Sequence, residues 1–203
     1  SWRALESLAT DLKAVLIDNN TEKVEWLSLQ TYILLTSDFP EYLQNYCEMV
    51  MYADDTALIV ANKNKDQLDI DSFVAFNMAK QYCNLNDLVL NESKTQQLIF
   101  TATQNNYHGL PEVTTIEFGK YLGLTLDRNL SWEPHINQLC QKLNSSLYAI
   151  RRIAQISNTD VAMTAYYSLF ESHLRYGLIA WGGTTISNLQ RVLVLQKRTI
   201  RAL

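Results

Sequence analysis

Cysteine is scarce in this 203-residue chain: Cys47, Cys83 and Cys140 are too few and too scattered for a disulfide framework. No CxxC pair and no His/Cys cluster suggests a zinc site, so a reducing, intracellular setting is the expectation. Uninterrupted apolar runs long enough to cross a bilayer are missing, and Ser1-Trp2-Arg3-Ala4-Leu5-Glu6 does not read as a signal peptide, so no membrane partner is expected. Internal repeats are absent too. What is there is ordinary for a globular protein, 47% apolar and 19% charged, which excludes wholesale disorder.

Acidic residues become rare in the last third. Between Asn137 and Leu203 eight basic residues face only Asp160 and Glu171, whereas the preceding part holds nine basic and nineteen acidic residues. The overall charge of −4 would argue against nucleic-acid binding if it were evenly spread, and it is not. The split fits two units with different electrostatic duties; it fits equally helices that collect arginine on solvated faces.

Along the chain, Leu5, Leu8, Leu12, Val15 and Leu16 give helical spacing over Trp2–Ile17. Cys47–Tyr52 and Thr56–Val60 are short strand-like runs around Asp54-Asp55 and predict a β-hairpin. A helix is predicted over Asp66–Leu85 with Ile70, Phe73, Val74, Met78 and Tyr82 on one side. A second hairpin is expected from Leu88–Leu90, a turn at Asn91–Lys94, and Thr95–Phe100; Thr103–Gly109 reads as a loop. Val113–Ile116 and Lys120–Leu126 are further strand candidates. Beyond Asp127 the pattern is all helix: Pro134–Ile156, a second helix opening on a Ser157-Asn158-Thr159-Asp160 capping box and ending before Gly177, and a third from Ile186 with Leu189, Val192, Leu193 and Ile200 inward.

Two adjacent carboxylates at a hairpin turn repel unless a cation sits beside them. Asp-Asp is also not the Asn-Gly pair that tight hairpins favour. Hard carboxylate oxygens suit Mg²⁺, which binds through one or two such groups plus substrate phosphates. An isolated Asp-Asp pair would read as a solvated acidic turn, so the neighbouring residues decide.

Those neighbours carry a resemblance. Met51-Tyr52-Ala53-Asp54-Asp55-Thr56-Ala57-Leu58-Ile59-Val60 resembles the YADD motif of reverse transcriptases, in particular those of LINE-like, jockey-type non-LTR retrotransposons of insects. In the same order follow Asn91-Glu92-Ser93-Lys94-Thr95 with Phe100, similar to the next palm motif, and Lys120-Tyr121-Leu122-Gly123-Leu124-Thr125-Leu126-Asp127 with Leu130-Ser131-Trp132 and His135, similar to the primer-grip hairpin and its exit. Tyr176-Gly177 and Ala180-Trp181-Gly182 resemble parts of the thumb. The resemblance covers roughly residues 32–203.

It implies an α+β fold: a degenerate N-terminal segment (1–31), a partial polymerase palm of antiparallel hairpins with one or two helices (32–130) and an all-helical thumb (131–203). It implies RNA-directed DNA polymerase activity with an RNA template, a DNA primer and deoxynucleotide triphosphates as partners, and two Mg²⁺ ions for which Mn²⁺ can stand in. Asp54 and Asp55 would be the catalytic metal ligands, with Lys94 beside the departing pyrophosphate. Tyr52 and Ala53 would lie beside the primer end and nucleotide, Tyr121, Leu122 and Gly123 would place the primer backbone, and Arg151, Arg152, Arg191, Lys197 and Arg198 would contact nucleic-acid phosphates. The plainer alternatives are a turn lysine for Lys94, strand packing for Tyr121–Gly123 and bulk-solvent exposure for some arginines.

The pattern also departs from the family. Asp11, Asp18 and Asp38 are the aspartates before Tyr52, and none sits in the family's first metal-binding motif; the G-x-P-Q-G motif is missing as well. Thr36-Ser37-Asp38-Phe39-Pro40 resembles the end of that segment, and the residues upstream of it do not match. The expectation is a truncated or decayed polymerase that is inactive alone, with a non-catalytic nucleic-acid-binding remnant as the alternative.

Overall fold

Alternating side chains on either side of residues 53 and 54 pair as a β-hairpin, β1 (Glu48–Tyr52) against β2 (Asp55–Ile59), with Tyr52 opposite Asp55. The computed structural model describes residues 32–53, 55–100 and 109–203. The helix predicted over Trp2–Ile17, most of the loop predicted over Thr103–Gly109 and Asp54 itself therefore lie outside the described residues. The described chain is mixed α and β, with two antiparallel hairpins, a short parallel pair and several helices. The described residues fall into two compact units, one within 32–95 and 109–113, the other within 96–100 and 114–203. No helix among the described residues is long and apolar enough to cross a membrane.

In the first unit, α1 (Phe39–Leu43) opens with Pro40 in its first turn, where a missing N–H leaves no bond unmade. The long α2 (Lys65–Leu85) is capped by the Asn64 side chain, which accepts the Asp66 N–H at 2.9 Å. Met49 and Met51, on the inward face of β1, pack with Leu58 against Phe39, Leu43, Ala79 and Tyr82. Tyr82 stacks on Phe39 with ring centroids 4.1 Å apart, and its hydroxyl donates to the Leu35 carbonyl at 3.0 Å and to the Asp38 carboxylate.

The buried stripe of α2 is Ala75, Ala79 and Tyr82, with Met78 packed beside it; of the predicted face Tyr82 and Met78 turn inward, while Ile70 and Phe73 are more than half exposed. Alanine at 75 and 79 lets a neighbouring element approach the helix closely, which leaves Ile70 and Phe73 outside the contact. The second predicted hairpin is also overturned. Leu88–Leu90 forms no strand and Val89 is 95% exposed, while β3 (Gln96–Leu98) runs parallel to β4 (Thr114–Ile116). The reason lies at Asn91, whose carbonyl accepts the Thr95 N–H at 3.0 Å. That is one helical turn, and it does not return the chain antiparallel as a two-residue hairpin does.

In the second unit, Lys120–Leu126, a single strand candidate by pattern, falls in a hairpin of β5 (Phe118–Tyr121) and β6 (Leu124–Asp127), as its resemblance to a hairpin motif implies. The following α3 (Glu133–Ile156) buries Ile136, Leu139, Cys140, Leu143, Leu147 and Ile150 at three- and four-residue spacing. The next helix, α4 (Thr159–Ala165), is capped one residue later than predicted: Asn158 accepts the Val161 N–H at 3.0 Å, and the Ser157 hydroxyl donates back to the Ile153 carbonyl instead. It widens into a π-helical stretch at Tyr166–Glu171, with Tyr166 stacked on Phe170, then narrows to α5 (Ser172–Arg175) and ends before Gly177 as expected. A short α6 (Leu178–Trp181) carries the fully buried Trp181.

Finally α7 (Ile186–Ile200) packs on α3 through Val192 and Leu195. Of its predicted inward residues Val192 is buried, while Leu189, Leu193 and Ile200 are exposed. The buried stripe includes polar Asn188 and Thr199, which hydropathy would put outside. They are tolerated because each is bonded: Asn188 donates to the Thr184 hydroxyl at 3.0 Å and Thr199 to the Leu195 carbonyl at 2.9 Å.

Candidate catalytic hairpin and nucleic-acid interface

The predicted site residues fall in both units. In the first, register puts Ala53 and residue 54 in the two-residue link that closes β1 on β2. Ala53 is left-handed, at φ 53°, as the turns favoured in tight hairpins require. Tyr52 is 66% exposed and points away from the methionine face, and Asp55 is exposed at the closing pair. Exposure leaves the Asp55 carboxylate able to meet a cation and a substrate phosphate together. Hard oxygen donors of this kind suit Mg²⁺. Among the described residues no group of three or more His, Cys, Asp or Glu side chains is gathered for a metal ion.

Lys94 lies exposed in a turn built by Asn91. The Asn91 carbonyl accepts the Lys94 N–H at 3.1 Å, the Thr95 N–H at 3.0 Å and the Thr95 hydroxyl at 2.8 Å, and its side-chain oxygen accepts the Ser93 hydroxyl at 2.7 Å. Asn91 had no assigned role from the sequence; an asparagine opening a polar turn is the signal that marks it. Beside this turn, Phe76, Lys80, Leu90, Thr95 and Glu112 line a cavity of about 190 Å³ in which Lys80 pairs with Glu112 at 2.5 Å.

In the second unit Tyr121, Leu122 and Gly123 stand together at the β5–β6 turn. Leu122 (φ 45°) and Gly123 (φ 79°) are both left-handed. Of the basic residues, Arg191 and Arg198 share a groove of about 460 Å³ between α3 and α7, with Asn144, Ser187 and Gln190. Arg191 is held there by donating to Asn137 Oδ1 at 2.6 Å and Asn188 Oδ1 at 3.3 Å. Lys197 lies exposed on α7, and Arg151 and Arg152 lie exposed on the C-terminal half of α3; none of the three lines the groove.

His135 was noted in the sequence only as part of a motif. It is buried, its Nδ1 accepts the Thr125 N–H at 3.4 Å, and its Nε2 has no hydrogen-bond partner among the described residues. Burial, helped by the nearby Lys142 charge, holds its pKa below the ordinary histidine value.

In sequence the chain is similar to RNA-directed DNA polymerases of mobile elements. It is 26% identical over 170 residues to a probable RNA-directed DNA polymerase from transposon BS of Drosophila melanogaster, covering 76% of this chain and 18% of the relative. It is 23% identical over 183 residues to the RNA-directed DNA polymerase from mobile element jockey of the same fly, covering 84% of this chain and 20% of the relative. A probable polymerase from transposon X-element matches at 23% over 184 residues, again 84% and 20%. The chain spans about a fifth of the length of these curated relatives. No family model and no solved structure matches it.

Proposed function

We propose that the chain is a piece of a retrotransposon reverse transcriptase, with residues 32–130 as partial palm and 131–203 as helical thumb. The observation that carries the reading is the hairpin register: Tyr52 opposite Asp55 leaves Ala53 and residue 54 as the link, so a Tyr-Ala-Asp-Asp sequence sits at a tight turn. The partners would be an RNA template, a DNA primer and deoxynucleotide triphosphates, and the setting intracellular.

Asp54 and Asp55 would hold Mg²⁺, or Mn²⁺ in its place, which when bound neutralises charge on a transferring phosphoryl group. The small Ala53 leaves room for the primer end beside Tyr52. Lys94 would offer positive charge to the departing pyrophosphate. The Leu122–Gly123 turn, with Tyr121 before it, would lie against the primer backbone, and Arg151, Arg152, Arg191, Lys197 and Arg198 would neutralise duplex phosphates.

The 203-residue polypeptide by itself is proposed not to polymerise, because its sequence supplies one of the two carboxylate motifs and positioning provides most of the rate. Mn²⁺ binding with and without an RNA–DNA primer duplex tests the reading, comparing the chain with an Asp54→Ala, Asp55→Ala double variant. Duplex-strengthened binding that the variant loses is expected; identical behaviour of the two proteins refutes a working half-site. Primer extension by the chain alone that needs Asp54 would refute its inactivity. The second reading, a non-catalytic duplex-binding remnant, draws on the Arg191–Arg198 groove. Salt-sensitive duplex affinity that survives Asp54→Ala, without any metal response, would favour it.

A further inference from the structure

The β5–β6 hairpin turns through Leu122 and Gly123 in the doubly left-handed form that normally takes Asn-Gly. Leucine is strained there, and a strained residue persists only where its surroundings over-determine it. The surroundings are one dipeptide, Tyr176-Gly177. The Tyr176 hydroxyl donates to the Leu122 carbonyl at 2.5 Å. Its ring lies on Gly123, where a Cβ would stand 3.1 Å from Tyr176 Cε1 and 3.3 Å from its Oη. Gly177, itself left-handed at φ 63°, comes so near the strand that a Cβ there would stand 2.5 Å from Leu124 Cδ2.

This clamp is itself anchored. The Trp181 indole, 1% exposed, donates its Nε1–H to the Tyr176 carbonyl at 2.9 Å. Below the turn, Thr125 donates its N–H to His135 Nδ1 and its hydroxyl to Gln138 Oε1 at 3.1 Å. The anchoring end is buried and bears on stability, whereas the Tyr176 phenol is 55% exposed and reaches only the turn. A solvent-side hydrogen bond adds little to global stability, so its consequence is the shape of the turn.

We propose that Tyr176 is a positioning residue: its hydroxyl on the Leu122 carbonyl fixes the Leu122–Gly123 turn in the form that receives a primer's sugar–phosphate backbone, and Trp181 holds Tyr176 in place to do so. The proposal rests on the polymerase reading above for the identity of the ligand.

The test uses the whole chain and an RNA–DNA hybrid whose primer carries a photoreactive phosphorothioate adduct at its last phosphodiester. In Tyr176→Phe, cross-linking to the Tyr121–Gly123 peptide falls about tenfold while total duplex affinity stays within about twofold, as expected for one lost hydrogen bond. Adding Leu122→Asn restores the cross-link, because asparagine accepts the left-handed conformation unaided. Amide exchange at Leu122 and Gly123, read without nucleic acid, quickens by about tenfold in Tyr176→Phe and returns in the double variant. Unchanged cross-linking or unchanged exchange in Tyr176→Phe overturns the proposal, and so does a loss that Leu122→Asn leaves in place. Failure of the unaltered chain to bind the hybrid is a separate outcome: it overturns the polymerase reading, and the primer role of the turn with it.

Discussion

The carboxylate of Asp127 accepts the backbone N–H of Trp132 at 2.9 Å and that of Ser131 at 3.0 Å, tying the last residue of β6 to the two residues just before α3. Trp132 is left-handed at φ 63°, so this anchor holds a residue in a conformation it would not choose alone. Asp127→Ala is expected to destabilise the second unit by about 2 kcal/mol, the scale of hydrogen bonds to a charged group, read from urea unfolding.

The same carboxylate makes a pH prediction. Burial pushes its pKa up, but the N–H groups of Ser131, Trp132 and Asn129 and the Ser131 hydroxyl outweigh that and hold it below the usual aspartate value. A depressed folded-state pKa gives stability that is present above about pH 4 and lost as pH falls through the lower folded value. Unfolding midpoints measured down the acid range should show this loss, and Asp127→Ala should remove its share of it.

His135 acts in a higher window. Its pKa is lowered in the folded state, so the unfolded chain takes up the proton first, and stability full above about pH 6.5 declines as pH falls below that value. Imidazole NMR titration should place His135 below the ordinary histidine value. His135→Phe, an aromatic between the Trp132 and Trp181 rings, should flatten this part of the stability profile.

At the β1–β2 hairpin, Ala53→Val should destabilise by about 1–2 kcal/mol, because a β-branched side chain is strained at φ 53°. Ala53→Gly should at least match the parent chain, as glycine adopts this conformation freely. Chemical unfolding of both variants checks the pair; a harmless Ala53→Val would mean that the turn relaxes.

For duplex binding, Arg198→Ala should weaken affinity evenly across sequences and reduce the slope of log affinity on log salt by about 1. Arg191→Ala should do the same and also loosen α7 from α3, since Arg191 bonds to Asn137. A salt titration of an RNA–DNA hybrid, read beside thermal unfolding, separates the two effects.

The parts of the fold legible in the sequence were those set by neighbours in the chain. Alternation plus a turn pair announced the β1–β2 hairpin, and three- and four-residue spacing announced α3. What stayed hidden depends on distant partners. The parallel pairing of Gln96–Leu98 with Thr114–Ile116 crosses an intervening segment and has no local signature. The buried face of α7 was misread because Asn188 and Thr199 go inward once bonded, which hydropathy cannot register. At the candidate site, the turn residues were readable from their motifs, but the bond from Tyr176 to Leu122 spans 54 positions and follows from packing alone.

The π-helical stretch at Tyr166–Glu171 has a bearing on that bond. A wide turn takes in one residue more than a regular α-helix would, turning everything after it by about 100° about the axis. Tyr176 and Gly177 thus reach the hairpin by arithmetic as much as by chemistry. The count of residues upstream acts as a vernier on the clamp. In that stretch a single deletion would swing Tyr176 off the Leu122 carbonyl, although every side chain that makes the contact would still be present.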